Sequence, residues 1–328
     1  MLNRRKIMMA IGAGVLTHCA ALAQTPRKLW RIGYLTAVPP AVYEPRLDAF
    51  KAGMTALGYA DGRDYLIEIR ASSTDLTRLA AMAAELVVLK VDLILTAGTP
   101  TVLAASRATR TIPIVMTTAG DPVGNGVATS LARPGGNVTG MTGISTELSP
   151  KLLDLLRQVV PGLRRVGIVY DPNNPIDMLT LPRFEAGCAT LKLEAIRAPA
   201  SAAEDFTAAF QMLSQKKTQG VYVPGSGSNV TAHREIVALA ARHRLPAIYG
   251  SAATELNSGA LMSYGADPAD LYRRAAAYAD RIFKGARPAD LPIQQPTLFE
   301  FSINLKTAKA LGLKVPQSIL IQATKVIE

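Results

Sequence analysis

Cysteine is nearly absent from this sequence. The 328 residues hold two, Cys19 and Cys188, together with three histidines. A disulfide framework and a cysteine-rich metal site are therefore excluded. Aromatic side chains are also scarce, at 5%, so a core must rest on Ala, Leu, Val and Ile. The chain carries 36 Lys and Arg against 25 Asp and Glu, a net charge of +11. That charge is scattered, with no run of five or six like charges and no basic–aromatic stripe. Nucleic acid is set aside as a partner on those grounds, and acidic envelope lipids or partners suit the surface better. Beyond the N-terminus no apolar run reaches the roughly 20 residues that cross a bilayer.

The first residues read as an address. "MLNRRK" is a positive n-region, and "IMMAIGAGVLTHCAALA" is a short apolar stretch broken by Thr17 and His18. Ala21-Leu22-Ala23 is a small-x-small cleavage site before Gln24. This grammar predicts a secretory signal peptide over 1–23, cleaved after Ala23, and a periplasmic protein. The stretch is short for the rival reading, a membrane anchor. His18 before Cys19 fits a lipobox poorly, and the Arg4-Arg5 pair leaves Sec and twin-arginine export both open. Cleavage removes Cys19, and Cys188 alone forms no intrachain disulfide; it reads as a small buried apolar residue. Losing Arg4, Arg5 and Lys6 takes the net charge from +11 to +8.

What the sequence has in plenty is alternation. Short apolar strands (31–36, 65–70, 91–98, 112–117) alternate with helical patterns, which predicts parallel α/β units. One helix places Leu47, Phe50, Met54 and Leu57 on a face and ends at Gly58. The pattern then restarts. "RVGIVYD" at 165 echoes "RIGYLT" at 31, "TQGVYVPG" at 218 echoes "VDLILTAG" at 91, and "RLPAIYGS" at 244 echoes "TIPIVMTT" at 111. Three strand types recur in one order at offsets of 134, 127 and 133. The expectation is an α/β protein of two similar doubly wound parallel-sheet lobes joined by a hinge, with a ligand cleft between them. Lobe 1 is assigned to 24–145, lobe 2 to 146–264 and a return segment to lobe 1 to 265–300. The C-terminal segment, 301–328, is left without a lobe.

In open parallel sheets, ligands sit beyond the carboxyl ends of the strands. Two facing lobes therefore direct attention to seven loops: 36–43, 98–101, 118–126, 171–175, 225–229, 250–252 and 264–267. Thr36 and Thr118 lie at the first and third of these. In "GTPT", Thr99 reads as an N-cap and Pro100 as the first helical residue. The free N–H groups and the hydroxyls of Thr99 and Thr101 would then suit a carboxylate. Asp121, fixed by Pro122, would suit an ammonium group or only shape an Asx-turn. Asp171 and Asn174 in "YDPNNP" are the counterparts in lobe 2, as ligand hydrogen-bonders or strand terminators. "GSGSN" offers Ser226 and Asn229 without a phosphate-loop lysine. Tyr264 in "MSYGAD" stands at the return crossing, placed to stack on a ligand or simply to pack.

The stretches "RIGYLT", "ELVVLKVDLILTAGTP", "IPIVMTTAGDPVGNG", "SLARPGGNVTGMTG", "LPAIYG", "GALMSYGAD", "RIFKGARPADLPIQQPT" and "INLKTAKALGL" carry a family resemblance over nearly the whole mature chain. The chain resembles the ABC transporter substrate-binding proteins of the tryptophan/tyrosine-binding type. The resemblance implies the type I periplasmic binding protein fold, closing on a small-molecule ligand about a hinge. It also implies a membrane permease as partner and, for the binding protein itself, a monomer. Family members are associated with aromatic amino acids. The cleft loops here hold few aromatics, so a branched or small amino acid, or another small organic acid, stays open.

Enzyme readings find little support. After signal removal only His233 and His243 remain, both in the helix-like "TAHREIVALAARHR". There is no GxSxG, HExxH or CxxC. No cofactor, metal site or catalytic residue is expected. The alternatives to a transport component are a periplasmic ligand sensor for a membrane receptor and an enzyme on the same fold.

Overall fold

The computed structural model describes residues 28–251 and 259–328. The signal-peptide reading, and Ala252 at the end of one loop, lie outside them. The first lobe is built on a five-stranded, all-parallel sheet of order β2-β1-β3-β4-β5. Its strands are β1 (Trp30–Thr36), β2 (Tyr65–Ala71), β3 (Leu93–Ala97), β4 (Ile114–Ala119) and β5 (Val138–Thr142). The second sheet has seven strands in the order β12-β11-β10-β9-β8-β6-β7. They are β6 (Arg165–Tyr170), β7 (Glu194–Pro199), β8 (Gly220–Pro224), β9 (Ala247–Gly250), β10 (Met262–Ala266), β11 (Phe299–Asn304) and β12 (Lys325–Ile327).

The internal echo becomes a repeat of topology. The order β7-β6-β8-β9-β10 reproduces β2-β1-β3-β4-β5, so the echoing pairs β1 and β6, β3 and β8, and β4 and β9 occupy equivalent places. The second sheet departs from a parallel one at its far edge. There β11 runs antiparallel to β10, and β12 pairs parallel with β11.

After its fifth strand each half sends a helix to the other lobe. α4 (Ser149–Val159) follows β5 and enters the second core, contributing Leu152, Leu153, Leu155 and Leu156. α9 (Pro268–Phe283) follows β10 and enters the first core, contributing Leu271, Tyr272 and Ala275. The chain then recrosses, so Phe301, Ile303 and Ile319 lie in the second core. Three segments thus connect the lobes, around 143–148, 266–267 and 295–298.

The seating of α9 follows from side-chain size. It lies on α1 (Pro40–Ala56), where a Cβ at Gly53 would collide with the Arg273 carbonyl oxygen and the Ala276 Cβ. Only glycine opposite a run of alanines lets the helices come this close. Larger rings seal the ends: Trp30 stacks on Phe283 at 4.3 Å, and the Tyr34 and Tyr272 hydroxyls pair at 2.9 Å in the buried core. Each fully buried side chain of this size adds roughly 1.5–3 kcal/mol of hydrophobic stabilisation.

Local departures from the sequence reading have local causes. Leu47, Phe50 and Met54 are buried on α1, but Leu57 is 41% exposed. It is the C-cap, and the helix stops there because Gly58 takes a left-handed φ of 87°. Thr99 is not the N-cap of α3 (Thr99–Ala108). Gly98 is, with φ 91° and ψ 163°, and Thr99 is the first helical residue.

Candidate functional site

Between the sheets lies a cavity of about 120 Å³ with walls from both lobes. Each of the seven loops supplies at least one lining residue: Val38, Gly98, Thr118, Asn174, Ser226, Gly250 and Ala266 are examples. The reason is topological. The parallel strands of both halves run toward the cleft, so their carboxyl ends and the helix starts that follow all converge there.

The lobes touch around this space. Gly120, after β4, faces Ile176 of α5 (Pro175–Thr190), and a Cβ at 120 would collide with the Ile176 Cδ1. Val38 lies across from Gly227, with 3.5 Å between its Cγ1 and the place a Cβ would occupy. Arg183 of α5 reaches Asp121 at 3.2 Å and Glu147, in a connecting segment, at 3.4 Å.

Four sequence-predicted residues line the cavity: Thr99, Thr118, Asn174 and Ser226. Thr99 already holds the loop opposite. Its hydroxyl accepts from the Gly120 N–H at 3.1 Å and donates to the Gly120 carbonyl at 3.4 Å. Asn174 caps α5 by accepting from the Ile176 N–H at 3.2 Å. Ser226 precedes the short helix α7 (Gly227–Thr231), its hydroxyl 3.4 Å from that of Ser228.

The other six predicted residues support the wall from behind or lie away from it. Thr36 is fully buried at the end of β1, where its hydroxyl accepts from the Val38 N–H at 3.4 Å. Thr101 donates back to the Gly98 carbonyl at 2.8 Å. Asp171 accepts from the Asn173 N–H and the Ser201 hydroxyl, which ties down the loop after β6. Asn229 is 2% exposed and donates to the Val169 and Pro224 carbonyls, linking two strand ends. Tyr264 stacks on Phe299 at 5.8 Å and meets Phe301 edge-on, within the second lobe. Asp121, at a left-handed φ of 42°, does not line the cavity; one oxygen accepts from the Gly124 N–H and the other pairs with Arg183.

Sequence reasoning missed Arg46, Ser145 and Ile176, which also line the cavity. Arg46 sits on the second turn of α1, and no local pattern separates it from a solvated arginine. Ile176 is a helix residue, and Ser145 lies in the first connecting segment, which the sequence marks as a lobe boundary rather than a wall.

One buried carboxyl stands directly behind the site. Asp177 is fully buried in the first turn of α5, and one of its oxygens accepts from the Asp171 N–H at 2.9 Å. Burial pushes its pKa up to about 7, against the opposing effect of hydrogen bonds from the Asp171 backbone and the Ser226 side chain. Cys188 is buried, and burial drives its thiol up to about 12, which keeps it protonated and inert. His233 starts α8 (His233–Arg242), with Nδ1 2.9 Å from the Val230 carbonyl oxygen, and His243 caps its end, stacked on Phe210. Among the described residues no cluster of three His, Cys, Asp or Glu is placed to hold a metal ion, and no helix is long and apolar enough to cross a membrane.

Three comparisons place this architecture among known proteins. Residues 38–327 match the family described as ABC transporter substrate binding protein. A tyrosine-binding protein from Clostridioides difficile (strain R20291) is 29% identical over 334 residues, covering 96% of this chain and 94% of that protein. An ABC domain in complex with L-Trp, from Streptococcus pneumonia, superposes with a TM-score of 0.85 at 24% identity, covering 92% of this chain and all of that one. The ligand-free, open structure of a substrate binding protein with adhesive properties, from Clostridium difficile, gives 0.64 at 23% identity, covering 92% and 99%. These are binding proteins, not enzymes, and their fold is the two-lobe architecture described above. The chain belongs to the family of ABC transporter substrate binding proteins.

Proposed function

We propose that this chain is the exported binding component of an ABC importer and takes an amino acid or a related small organic acid between its lobes. The observation that carries this reading is the cavity itself, walled by strand ends and helix starts from both halves. Thr99, Thr118, Asn174 and Ser226 stand there to make polar contacts with the solute. The tyrosine-binding relative and the L-Trp complex support an amino-acid-like solute. Hinge motion about the three connecting segments is the means of capture. At nearly equal identity and coverage, the chain superposes better on the L-Trp complex than on the ligand-free, open structure, which supports reading the present arrangement as closed. In this account the protein acts as a periplasmic monomer, freed by cleavage after Ala23, and delivers its solute to a membrane permease.

A thermal-shift screen of the mature chain against amino acids and small organic acids tests the reading. A solute at about 100 times its Kd adds roughly 2.7 kcal/mol to stability. At about 2–4 °C per kcal/mol, Tm rises by several degrees. A panel in which no amino acid or organic acid raises Tm contradicts the reading.

A further inference from the structure

Among the described residues, the cavity between the lobes is lined by one charged side chain, Arg46. Arg46 is half-buried and forms no ion pair with any described carboxylate. A guanidinium held partly out of water without a counter-charge is a waiting site for an anion. The backbone adds to the field. α1 and α3 both begin at this cavity, and neither is capped by a side chain, so both present the positive end of a helix dipole.

The space outside the cavity continues the same sign. A second chamber of about 520 Å³ shares Arg46 with the first and adds Arg234 and Lys325. Neither is paired with a described carboxylate. Two acids also line it, Asp267, which caps α9 through the Ala269 N–H at 2.8 Å, and Glu300, so among the described residues three cations face two carboxylates.

An ammonium group finds nothing equivalent. No described acid lines the inner cavity. Asp121, which the sequence offered for that role, does not line it and is paired with Arg183. No aromatic ring lines the cavity among the described residues, and the apolar wall comes from short chains such as Val38, Ile176 and Leu271.

We propose that the cleft selects a compact organic acid of net negative charge, its carboxylate seated on the Arg46 guanidinium and its aliphatic remainder against Val38, Ile176 and Leu271. This rests on the solute-binding reading above and narrows it. A zwitterion of the same skeleton binds more weakly, because its ammonium enters a positive cavity with no counter-charge among the described residues.

The test is calorimetry on the mature chain with two matched pairs: 4-methyl-2-oxopentanoate against L-leucine, and 4-hydroxyphenylpyruvate against L-tyrosine. The aliphatic 2-oxo acid is expected to bind at least tenfold more tightly than L-leucine and more tightly than either aromatic probe. Arg46→Gln is expected to lose tenfold or more for that acid, and Arg46→Lys to recover part of the loss, with the ligand-free Tm of both near wild type. If L-leucine or L-tyrosine binds as tightly as its oxo partner, the anion assignment is overturned and amino-acid binding stands; if Arg46→Gln binds like wild type, the seat on Arg46 is overturned. If none of the four probes binds, the anion assignment is overturned, while the solute reading stands or falls separately with the thermal-shift panel. The wild-type comparison of matched pairs decides the matter even if a variant folds poorly.

Discussion

Arg183 and Asp121 belong to different lobes and meet at 3.2 Å beside the cleft, with Glu147 of a connecting segment 3.4 Å from the same guanidinium. Arg183 is 41% exposed on its side chain, so solvent screens the pair and its worth is at most about 1 kcal/mol. Its position gives it a role that its strength does not: on the proposed closure, a pair between lobes forms as they come together. Arg183→Gln is expected to weaken solute affinity by roughly two- to fivefold and to reduce the dependence of affinity on salt between about 50 and 300 mM. Asp121→Asn should do the same. A loss of about ten- to a hundredfold in Asp121→Asn, with Arg183→Gln silent, would instead mark Asp121 as a direct partner of a charged solute.

Gly120 and Ile176 meet across the lobes, so on the proposed closure they limit how near the lobes can come. A methyl at 120 is aimed at the Ile176 Cδ1 and sits 3.1 Å from the Ser145 Oγ. The contact joins a loop to a helix of the other lobe, so on the proposed closure its cost should fall on binding more than on folding. Gly120→Val is expected to bind its solute at least tenfold more weakly with a ligand-free Tm close to wild type. Trimming the other side with Ile176→Ala in the same chain should restore part of the affinity. A Gly120→Val protein that binds normally would show that the lobes need not approach this closely.

The buried carboxyl of Asp177 gives stability a pH dependence of definite sign. Its folded pKa is raised to about 7 from an ordinary value of 3.8. Between those limits the folded chain holds a proton that the unfolded chain has released. Stability from this group is therefore greatest below about pH 4 and falls as pH rises through 7. Removing the charge in Asp177→Asn should flatten that slope: the drop in Tm from pH 5 to pH 8 should be smaller than in wild type by a few degrees. Equal drops in the two proteins would show that Asp177 ionises in the fold as it does in water.

How much of this was legible in the sequence varies with the range of the cause. The strands β1–β4, β6, β8 and β9 were, because apolar runs bounded by Gly and Pro are local and their order in the second half repeated the first; β5, β7 and β10–β12 were not read from the sequence. The cleft-facing loops were legible for the same reason, since topology alone sends parallel strand ends to one place. Individual contacts were not. Asp121 read as a fixed anion near a helix start, and nothing local shows that Arg183, 62 residues away, meets it from the other lobe. Tyr264 read as a ligand contact, yet its rings of contact, Phe299 and Phe301, come from an antiparallel strand that the parallel pattern does not announce. Arg46 gave no signal because its meaning depends on the unpaired space beside it.

The central claim is that a solute is captured between the lobes by their closure. Small-angle scattering on the mature chain, with and without the strongest hit from the thermal-shift screen, tests it most directly. The account predicts a smaller radius of gyration on saturation, and a diminished change in Gly120→Val. Saturating, calorimetrically verified binding with no compaction of the wild-type particle would contradict it.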